Sequence, residues 1–317
     1  MPTSSSLSIV IVNWNSGKQL AECIESVAIS RAALSDSFLL TQVVIIDNGS
    51  ADNSAIGITM PDLNLSVVSN AQNTGFGAAC NQGAALTSTD YILFLNPDTR
   101  LFDNSLIVPL QCLSGPSGAD FGIASIQLVD DTGEVVRCCA RFPQASHFFY
   151  QSVGIDRVVP RIGHYMRDWD HGQTKAVDQV IGAFFLVRRN VFERLGGFDE
   201  QFFVYFEEVD FSLRALQAGW KSLYVATAQA YHAGGGTSNQ IKGRRLFYSL
   251  RSRLLFGQKH FSPSQRLVLG LVTWLIEPFG RAVHLILSGR LLELRHLFEA
   301  YCLLWRDRLS GGSPQAA

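Results

Sequence analysis

Short apolar runs alternate with segments of helical spacing along the first third of the chain. Four runs rich in β-branched residues are each followed by polar or glycine-rich residues, which is typical of buried strands. These runs are residues 7–12, 43–46, 65–68 and 91–95. Between them, residues 17–29 and 78–86 place apolar and small side chains at helical spacing. The alternation predicts an α/β fold with a mainly parallel central sheet flanked by helices.

The pattern weakens and then returns in the second half of the chain. Residues 130–178 mix aromatic, arginine and glycine residues, and we interpret them as a variable insertion. Residues 182–187 predict another strand. Residues 208–218 predict a helix, and residues 222–226 predict a strand that leads to His232.

Polar residues recur directly after three of the predicted strands. They are Asn13 and Asn15, Asp47 and Asn48, and Asn96 and Asp98. Asn and Asp also end strands where nothing binds, so each pair alone is weak evidence. However, the carboxyl ends of parallel strands share one edge of a sheet, and ligands of such folds bind there. The recurrence therefore favours a binding site at that edge.

Charge is distributed unevenly along a chain that can form a full core. The 317 residues are 47% hydrophobic, which excludes general disorder. Residues 1–240 hold 14 basic and 23 acidic side chains, or −9, whereas residues 241–317 hold 12 and 4, or +8. A basic tail favours an anionic partner. A membrane surface, a diphosphate and a nucleic acid all fit, and composition does not choose among them.

Cysteine usage and the N-terminus favour a cytoplasmic protein. The six cysteines have no repeated CxxC spacing, which fits reduced, packed thiols better than a zinc site or a disulfide framework. The first six residues carry neither a basic cluster nor an apolar core, so we predict no secretory signal.

The C-terminal segment, residues 261–317, has the pattern of an amphipathic helical extension. Only ten uncharged residues lie between Arg266 and Glu277, which is too few to cross a bilayer, so we predict no transmembrane span. A narrow polar stripe steps by four and three residues through Arg266, Gly270, Thr273, Glu277, Arg281, His284 and Ser288. Residues 261–309 could lie peripherally on a membrane, or pack on the rest of the chain or on a second copy as a homodimer.

Six motifs, in one order between about residues 7 and 253, resemble those of the family 2 glycosyltransferases. They are IVIVNWN at 9–15, IDNGSAD at 46–52, NTGFG at 73–77, NPD at 96–98, GGFDE at 196–200 and FEEVD at 206–210. Within that family the chain is most similar to the bacterial rhamnosyltransferases. The resemblance implies a GT-A catalytic domain over residues 1–260, followed by the helical extension over 261–317. It implies no nucleic-acid partner.

The resemblance also implies which residues bind a nucleotide-sugar donor. Asp47 corresponds to the aspartate that recognises the base. The residues expected to line the donor pocket are Val12, Asn13, Asn15, Asp47, Asn73, Gly75, Asn96 and Asp98. Their side chains and backbone groups are suitable hydrogen-bonding partners.

Asp98 and His232 are the candidate ligands of a divalent cation, Mn or Mg. A nucleotide diphosphate leaves with growing negative charge, which a cation held by a carboxylate can neutralise. Asp98 follows an apolar strand, and Pro97 restricts the backbone beside it. His232 precedes glycines whose N–H groups could approach phosphate oxygens. An ordinary turn and a surface histidine are the alternatives, and only the resemblance raises His232 above them.

An acidic group provides the candidate base for the attacking hydroxyl. Glu207, Glu208 and Asp210 form it, and the resemblance places the base at Glu208, where the family has an aspartate. Like charges raise one another's proton affinity. The alternative is that these carboxylates only stabilise a helix N-terminus. Tyr248, Arg251 and Arg253 could meet a diphosphate or an anionic acceptor.

The expected reaction is a direct displacement with inversion. By resemblance the donor is dTDP-L-rhamnose, and the acceptor is a hydroxyl of a lipid-linked glycan or a surface polysaccharide, at the inner face of a bacterial plasma membrane. A catalytically silent nucleotide-sugar-binding scaffold is the first alternative. A nicotinamide-dependent dehydrogenase is the second, because residues 75–80 begin like a dinucleotide loop, but Cys80 stands where Gly or Ala is expected and the segment does not follow the first strand.

Overall fold

The computed structural model describes residues 4–234 and 241–310. Its strands are β1 (Ser5–Asn13), β2 (Phe38–Asp47), β3 (Leu65–Ser69), β4 (Tyr91–Leu95), β5 (Thr99–Leu101), β6 (Phe121–Val129), β7 (Val135–Val136), β8 (Cys139–Ala140), β9 (Lys175–Val177), β10 (Gln179–Val180), β11 (Phe184–Arg188) and β12 (Lys221–His232). Its helices are α1 (Gln19–Ala32), α2 (Phe76–Ala85), α3 (Ile107–Ser114), α4 (Ala145–Val153), α5 (Ile155–Val158), α6 (Arg189–Arg194), α7 (Glu207–Gln217), α8 (Lys242–His260), α9 (Pro263–Leu271), α10 (Glu277–Leu287) and α11 (Leu294–Leu309). These elements confirm the predicted α/β fold.

One ten-stranded mixed sheet forms the centre of the molecule. The main strand order is β3-β2-β1-β4-β11-β6-β12-β5, with β7 beside β6 and β9 beside β12. The pairs of β1 with β2 and β4, of β2 with β3, and of β6 with β12 are parallel. β11 runs antiparallel to both of its neighbours, β4 and β6. The prediction of a mainly parallel sheet flanked by helices is therefore confirmed.

Apolar composition explains three of the four N-terminal strands. Residues of β1, β2 and β4 from Leu7 to Ile11, from Val43 to Ile46 and from Ile92 to Leu95, including the one polar residue Ser8, are at most about 1% exposed. Burial on both faces is the normal state of central parallel strands covered by helices. The predicted strand and helix positions all fall within or overlap the observed elements.

β6 and the elements within residues 130–178 were not predicted individually. β6 lies in the middle of the sheet, between β11 and β12. The segment interpreted as an insertion, residues 130–178, contains the strands β7, β8 and β9 and the helices α4 and α5. α4 packs against α9 and α10, so the insertion connects the sheet to the C-terminal helices.

The C-terminal helices form a layer of their own. α9 continues through a π-helical turn, Val272–Ile276, into α10, so that Pro263–Leu287 is one 25-residue helix. By length and composition alone this helix could cross a membrane, but a buried core helix passes the same test. The prediction of no span considered only the uncharged run, which is shorter than the helix. α8 packs lengthwise against α11.

The centre of the polar stripe of this helix, at Thr273 and Glu277, faces the protein. Arg253 of α8 donates to the Thr273 hydroxyl at 2.8 Å and to the Glu277 carboxylate. Arg281 donates to the other Glu277 oxygen at 2.8 Å. Thr273 and Glu277 are 0% and 4% exposed. Of the arrangements that the sequence left open, the structure therefore shows the centre of the polar stripe packed on the chain itself, whereas Arg266, Arg281, His284 and Ser288 are exposed.

Candidate active site

Parallel pairing aligns the carboxyl ends of β1 and β2. Asn13 and Asp47 are register partners, and the Asn13 side-chain amide donates to Asp47 Oδ1 at 2.8 Å. The same amide donates to the hydroxyls of Ser50 and Ser54. Asn13 is fully buried, whereas Asp47 is partly exposed. Asn13 therefore shapes this part of the edge, and Asp47 is the member that a ligand can reach.

Val12 and Asn15 also lie near the carboxyl end of β1, but their side chains have different surroundings. Asn15 has a φ of 50°, and its Oδ1 accepts from the backbone N–H of Ala51 at 2.7 Å. Asparagine tolerates this left-handed conformation better than most residues. Val12 is buried within β1 opposite Ile46, so its side chain belongs to the core and only its backbone is near the edge.

Asn48 joins two loops and received no role from the sequence. Its amide donates to Asn73 Oδ1 at 3.0 Å and to the Gly75 carbonyl at 3.2 Å. Its own Oδ1 accepts from the Asn70 amide and from the backbone and hydroxyl of Thr74. Asn48 is only 2% exposed, so a fully satisfied buried amide fixes the 73–75 loop beside the end of β2.

Gly75 allows this loop to approach the segment before α7. Its φ is +96°, and a Cβ atom there would lie 2.5 Å from the Phe203 carbonyl oxygen. The same carbonyl accepts from the Phe76 N–H at 2.7 Å. The Phe203 ring stacks on Tyr248 of α8, with centroids 4.8 Å apart. Glycine is therefore required at 75 by both conformation and space.

Antiparallel pairing of β12 with β5 brings Asp98 and His232 together. His232 is the register partner of Thr99, and the Ala233 N–H donates to the Asp98 carbonyl at 3.2 Å. His232 Nε2 lies 3.4 Å from Asp98 Oδ1, and the two side chains are 10% and 13% exposed. The convergence of these two residues, which are 134 positions apart in sequence, was predicted and is observed.

Asp98 and His232 could supply two ligands of a divalent cation, and other groups would supply the remaining ligands. A carboxylate and an imidazole are suitable donors for Mn-like ions. His232 Nδ1 is buried without a hydrogen-bond partner among the described residues, so no partner there fixes the tautomer. Within residues 4–234 and 241–310, no group of three His, Cys, Asp or Glu residues could hold a metal. Gly235 and Gly236, expected near the phosphates, lie outside the described residues.

Glu207 and Glu208 begin α7 in an enclosed setting. Tyr205 and Phe206, just before them, have φ values of 67° and 71°, which turn the chain sharply into the helix. Burial raises the pKa of Glu208 to about 7, and burial together with the Glu208 charge raises the pKa of Glu207 well above its ordinary value. One carboxyl oxygen of each is buried without a hydrogen-bond partner in the described part of the chain. Such groups are typical of functional sites.

Asp210 differs from its neighbours in the acidic group. Its carboxylate accepts from Arg214 at 2.7 Å and from Lys259 and His260, both at 2.7 Å. Burial opposes ionisation, but the hydrogen bonds from His260 and Lys259 and the Arg214 charge outweigh it, so the pKa of Asp210 falls to about 2. Asp210 is therefore a link between α7 and α8 rather than part of a free acidic group.

A series of contacts joins the Asp98 side of the edge to Glu207. The Asn96 N–H donates to the Ala183 carbonyl at 3.0 Å, and Asn96 itself remains partly exposed. Gly182 lies against the Phe76 ring at the start of α2. A Cβ atom at Gly77 would lie 3.5 Å from Glu207 Cβ. The two halves of the candidate site therefore border the same end of the sheet.

The three residues proposed from α8 are engaged with the protein itself. Tyr248 stacks on Phe203. Arg251 pairs with Asp307 of α11 at 3.1 Å, and Arg253 forms the buried pair with Glu277. These contacts give Arg251 and Arg253 structural roles between helices, and only Tyr248 lies beside the 73–75 loop.

The chain matches two sequence-family models. Residues 8–111 match the model of glycosyl transferase family 2, and residues 119–306 match that of glycosyl transferase family group 2. Among curated relatives, an N-acetylglucosaminyl-diphospho-decaprenol L-rhamnosyltransferase of Mycobacterium tuberculosis is 26% identical over 264 residues, covering 79% of this chain and 83% of the relative. The rhamnosyltransferase WbbL of Escherichia coli is 30% identical over 167 residues, covering 51% of this chain and 60% of WbbL.

Solved structures show the same fold. The mannosyltransferase PcManGT from Pyrobaculum calidifontis, in complex with GDP-Man and Mn²⁺, superposes with a TM-score of 0.57 at 15% identity, over 96% of this chain and 88% of that one. GalNAc-T7 with UDP, GalNAc and Mn²⁺ gives 0.56 at 16% identity, over 91% and 58%. The fold and site thus define a glycosyltransferase of the GT-A type. The chain belongs to glycosyl transferase family group 2, and the dehydrogenase alternative is excluded.

Proposed function

We propose that this glycosyltransferase moves L-rhamnose from dTDP-rhamnose to a hydroxyl of a lipid-linked or polysaccharide acceptor, with inversion. The observation that carries the proposal is the meeting of Asp98 and His232 at the sheet edge that also borders Glu207. The rhamnosyl group is inferred from the names of the Mycobacterium tuberculosis and Escherichia coli relatives, and the dTDP carrier from the sequence resemblance alone. The decaprenol in the first name supports a lipid-linked acceptor.

Asp98 and His232 would hold the divalent cation, Mn or Mg. When bound, the cation would offset the negative charge that grows on the departing nucleotide diphosphate. The presence of Mn²⁺ in the two solved transferases supports this choice. Asp47, at the end of β2, would contact the nucleoside, and the 73–75 loop would close its pocket.

Glu208 would accept the proton of the attacking hydroxyl. Its raised pKa of about 7 suits a base that works near neutral pH, because the group is then partly ionised yet proton-accepting. Glu207, whose pKa burial and the Glu208 charge raise well above its ordinary value, would hydrogen-bond to the acceptor. A single displacement by a hydroxyl activated in this way inverts the anomeric centre. The reaction would take place at the cytoplasmic face of the plasma membrane.

The deciding experiment combines donor binding with transfer. Purified protein is tested by thermal shift against nucleotide-sugars with and without Mn or Mg, and then by transfer from dTDP-rhamnose to a lipid-linked N-acetylglucosamine acceptor. Asp98→Asn should lose the metal-dependent shift, whereas Glu208→Gln should keep the shift and lose transfer. Glu193→Gln, on exposed α6, is the matched control and should behave as the parent protein.

Three results would contradict parts of the proposal. A product with retained anomeric configuration, read by NMR, would refute direct displacement. A metal-dependent shift that survives in Asp98→Asn would refute its assignment as ligand. Donor binding with neither transfer nor hydrolysis, across a panel of acceptors, would instead favour the silent scaffold.

A further inference from the structure

A continuous row of apolar side chains is exposed on the outer face of the C-terminal layer. Along Pro263–Leu287 the row steps by four residues and consists of Leu267, Leu271, Leu275, Phe279, Val283 and Leu287. Phe279 and Leu287 are 76% and 82% exposed. On the adjoining segment and α11, Leu292, Phe298 and Trp305 are also exposed. A patch of this extent on a soluble chain normally marks a contact surface.

The outward direction of this row is fixed by the opposite face of the same helix. Arg253 bonds to Thr273 and Glu277, and Tyr301 of α11 donates to the Thr273 carbonyl at 2.9 Å. Gly280 lies directly against the Ser152 carbonyl of α4, which leaves no room for rotation. Crossing a bilayer would move Glu277 and Arg281 into hydrocarbon and break the buried pair.

A cavity of about 800 Å³ opens beside the row, between α8, α9 and α11. Leu267, Leu271 and Leu275 belong to both the row and the cavity wall, so the two form one surface. The charged residues of the lining are Arg251, Arg266, Arg308 and Asp307. Asp307 pairs with Arg251, so Arg266 and Arg308 give the cavity its positive charge. Apolar walls with guanidinium groups at the rim suit a phosphate attached to a hydrocarbon chain.

We propose that this outer face rests on an anionic lipid bilayer, with the row in the interfacial acyl region and a phospholipid phosphate in the cavity near Arg266 and Arg308. Charge complementarity favours this occupant over a second copy, because Arg266 and Arg308 line the cavity that adjoins the apolar row. An isologous contact with a second copy would place the same arginine-lined surface against itself. An amphipathic helix parallel to the surface binds through apolar area and basic residues together.

Vesicle flotation tests the proposal without any sugar donor, so its outcome is separate from that of the proposed transferase reaction. The full chain should float with vesicles of phosphatidylcholine and phosphatidylglycerol and bind pure phosphatidylcholine more weakly. Phe279→Ser with Leu287→Ser should lower binding at least about tenfold, because two exposed apolar side chains no longer enter the bilayer. Ile29→Ser with Leu86→Ser removes two apolar side chains exposed elsewhere and should not lower binding.

Two further readouts locate the contact. Vesicles with brominated acyl chains should quench the fluorescence of the parent, and Trp305→Phe should remove part of that quenching, since Trp305 is 56% exposed on this face. Arg308→Gln should reduce the preference for phosphatidylglycerol, whereas Arg194→Gln on α6 should not. Sedimentation of every variant confirms that folding and mass are unchanged.

The result that would overturn the proposal is equal flotation of the parent and the Phe279→Ser, Leu287→Ser variant. A parent that does not bind vesicles but sediments as a dimer, with the dimer lost in that variant, would assign the face to a second copy. Binding without quenching by brominated lipid would also contradict insertion of the row.

Discussion

At the scale of single residues, Glu208 owes its proton affinity to where the chain places it. Enclosure at the start of α7 raises its pKa to about 7, while backbone N–H groups of the first turn act in the opposite direction. Glu207 beside it has an even more strongly raised pKa because of burial and the Glu208 charge. Near neutral pH we expect the Glu207 and Glu208 carboxyl groups to share one proton.

Activity should therefore rise with pH through about 7, because only the ionised Glu208 can accept the hydroxyl proton. Stability, in contrast, should fall as pH rises. Between the ordinary glutamate pKa of about 4.5 and the raised pKa of about 7, the folded state keeps a proton that the unfolded chain has already released, so unfolding becomes easier across this range. A kcat/KM profile and thermal unfolding between pH 5.5 and 8.5 measure the two effects. A flat rate profile would argue against Glu208 as the base.

Gly75 gives a second prediction at this scale. Gly75→Ala meets the Phe203 carbonyl and adopts a φ of +96°, so it should cost several kcal/mol, on the order of other strained backbone sites, and weaken donor binding. Gly17→Ala has a φ of +57° with nothing within 4 Å, and should cost only about 1–2 kcal/mol. Chemical denaturation and donor titration compare them, and equal costs would show that the contact with Phe203 is unimportant.

Residue types in the sequence predicted which side chains lie at the carboxyl ends of the strands better than they predicted which groups those side chains bond to. Asp98 and His232 were predicted as a pair, His232 on the resemblance alone, and their side chains lie 3.4 Å apart. Asn48 was placed at this edge but given no individual role, because its role depends on loops that only the fold brings together. Asp210 was grouped with its acidic neighbours, although its basic partners Lys259 and His260 lie about 50 positions away in sequence.

At the scale of elements, α7 depends on α8 for its position. Asp210 joins them through Lys259 and His260, and the rings of Phe206 and Phe256 pack together with centroids 5.5 Å apart. Phe206 also faces Phe148 of α4. The turn before α7 is therefore held between α4 of the insertion and α8.

Asp210→Asn should destabilise the protein by about 3 kcal/mol, because Arg214 and Lys259 lose a buried anionic partner and His260 loses a hydrogen-bond partner. Asp120→Asn removes an exposed pair with Lys221 and should cost less than about 1 kcal/mol. The Asp210 contribution should also fade below about pH 4, since its folded pKa of about 2 lies under the ordinary value. Denaturant unfolding at pH 7 and pH 3 would refute this role if the two variants matched.

Elements with strong apolar periodicity were predictable, whereas β6 was not. Its sequence, FGIASIQLV, contains a glycine, a serine and a glutamine inside a central strand. Gln127 is nonetheless buried because it bonds to the His171 carbonyl and to Gln229. Partners from distant segments satisfy the Gln127 side chain, whereas the buried Ser125 hydroxyl has no hydrogen-bond partner among the described residues, so the local pattern conceals the strand.

At the scale of the whole molecule, the boundary predicted at residue 260 falls in the turn between α8 and α9, but packing crosses it. Phe256 of α8 contacts Phe261, and α8 lies along α11. The buried Arg253–Glu277 pair also spans the boundary. The division into two domains, residues 1–260 and 261–317, stays a prediction, and these contacts favour a single stable unit.

Ending the chain at residue 260 should therefore lower its melting temperature strongly or prevent folding, because Leu250 and Phe256, each about 1% exposed, would lose cover and Arg253 its partner. Ending it at residue 310 removes only residues beyond α11 and is the control. Thermal unfolding and yield of soluble protein measure the difference. Two truncations of equal stability would support an independent catalytic domain.

The antiparallel pairing of β5 with β12 has a practical consequence. Main-chain hydrogen bonds, rather than side-chain packing, keep Asp98 beside His232. Arg100 and Tyr231 are register partners in this pair of strands, and their side chains lie outside the core. The Arg100 guanidinium carbon is 3.9 Å from the centre of the Tyr231 ring. Substitutions at these two positions should therefore leave the separation of Asp98 and His232 unchanged, because successive strand residues point to opposite faces and Tyr231 points away from the face that carries His232.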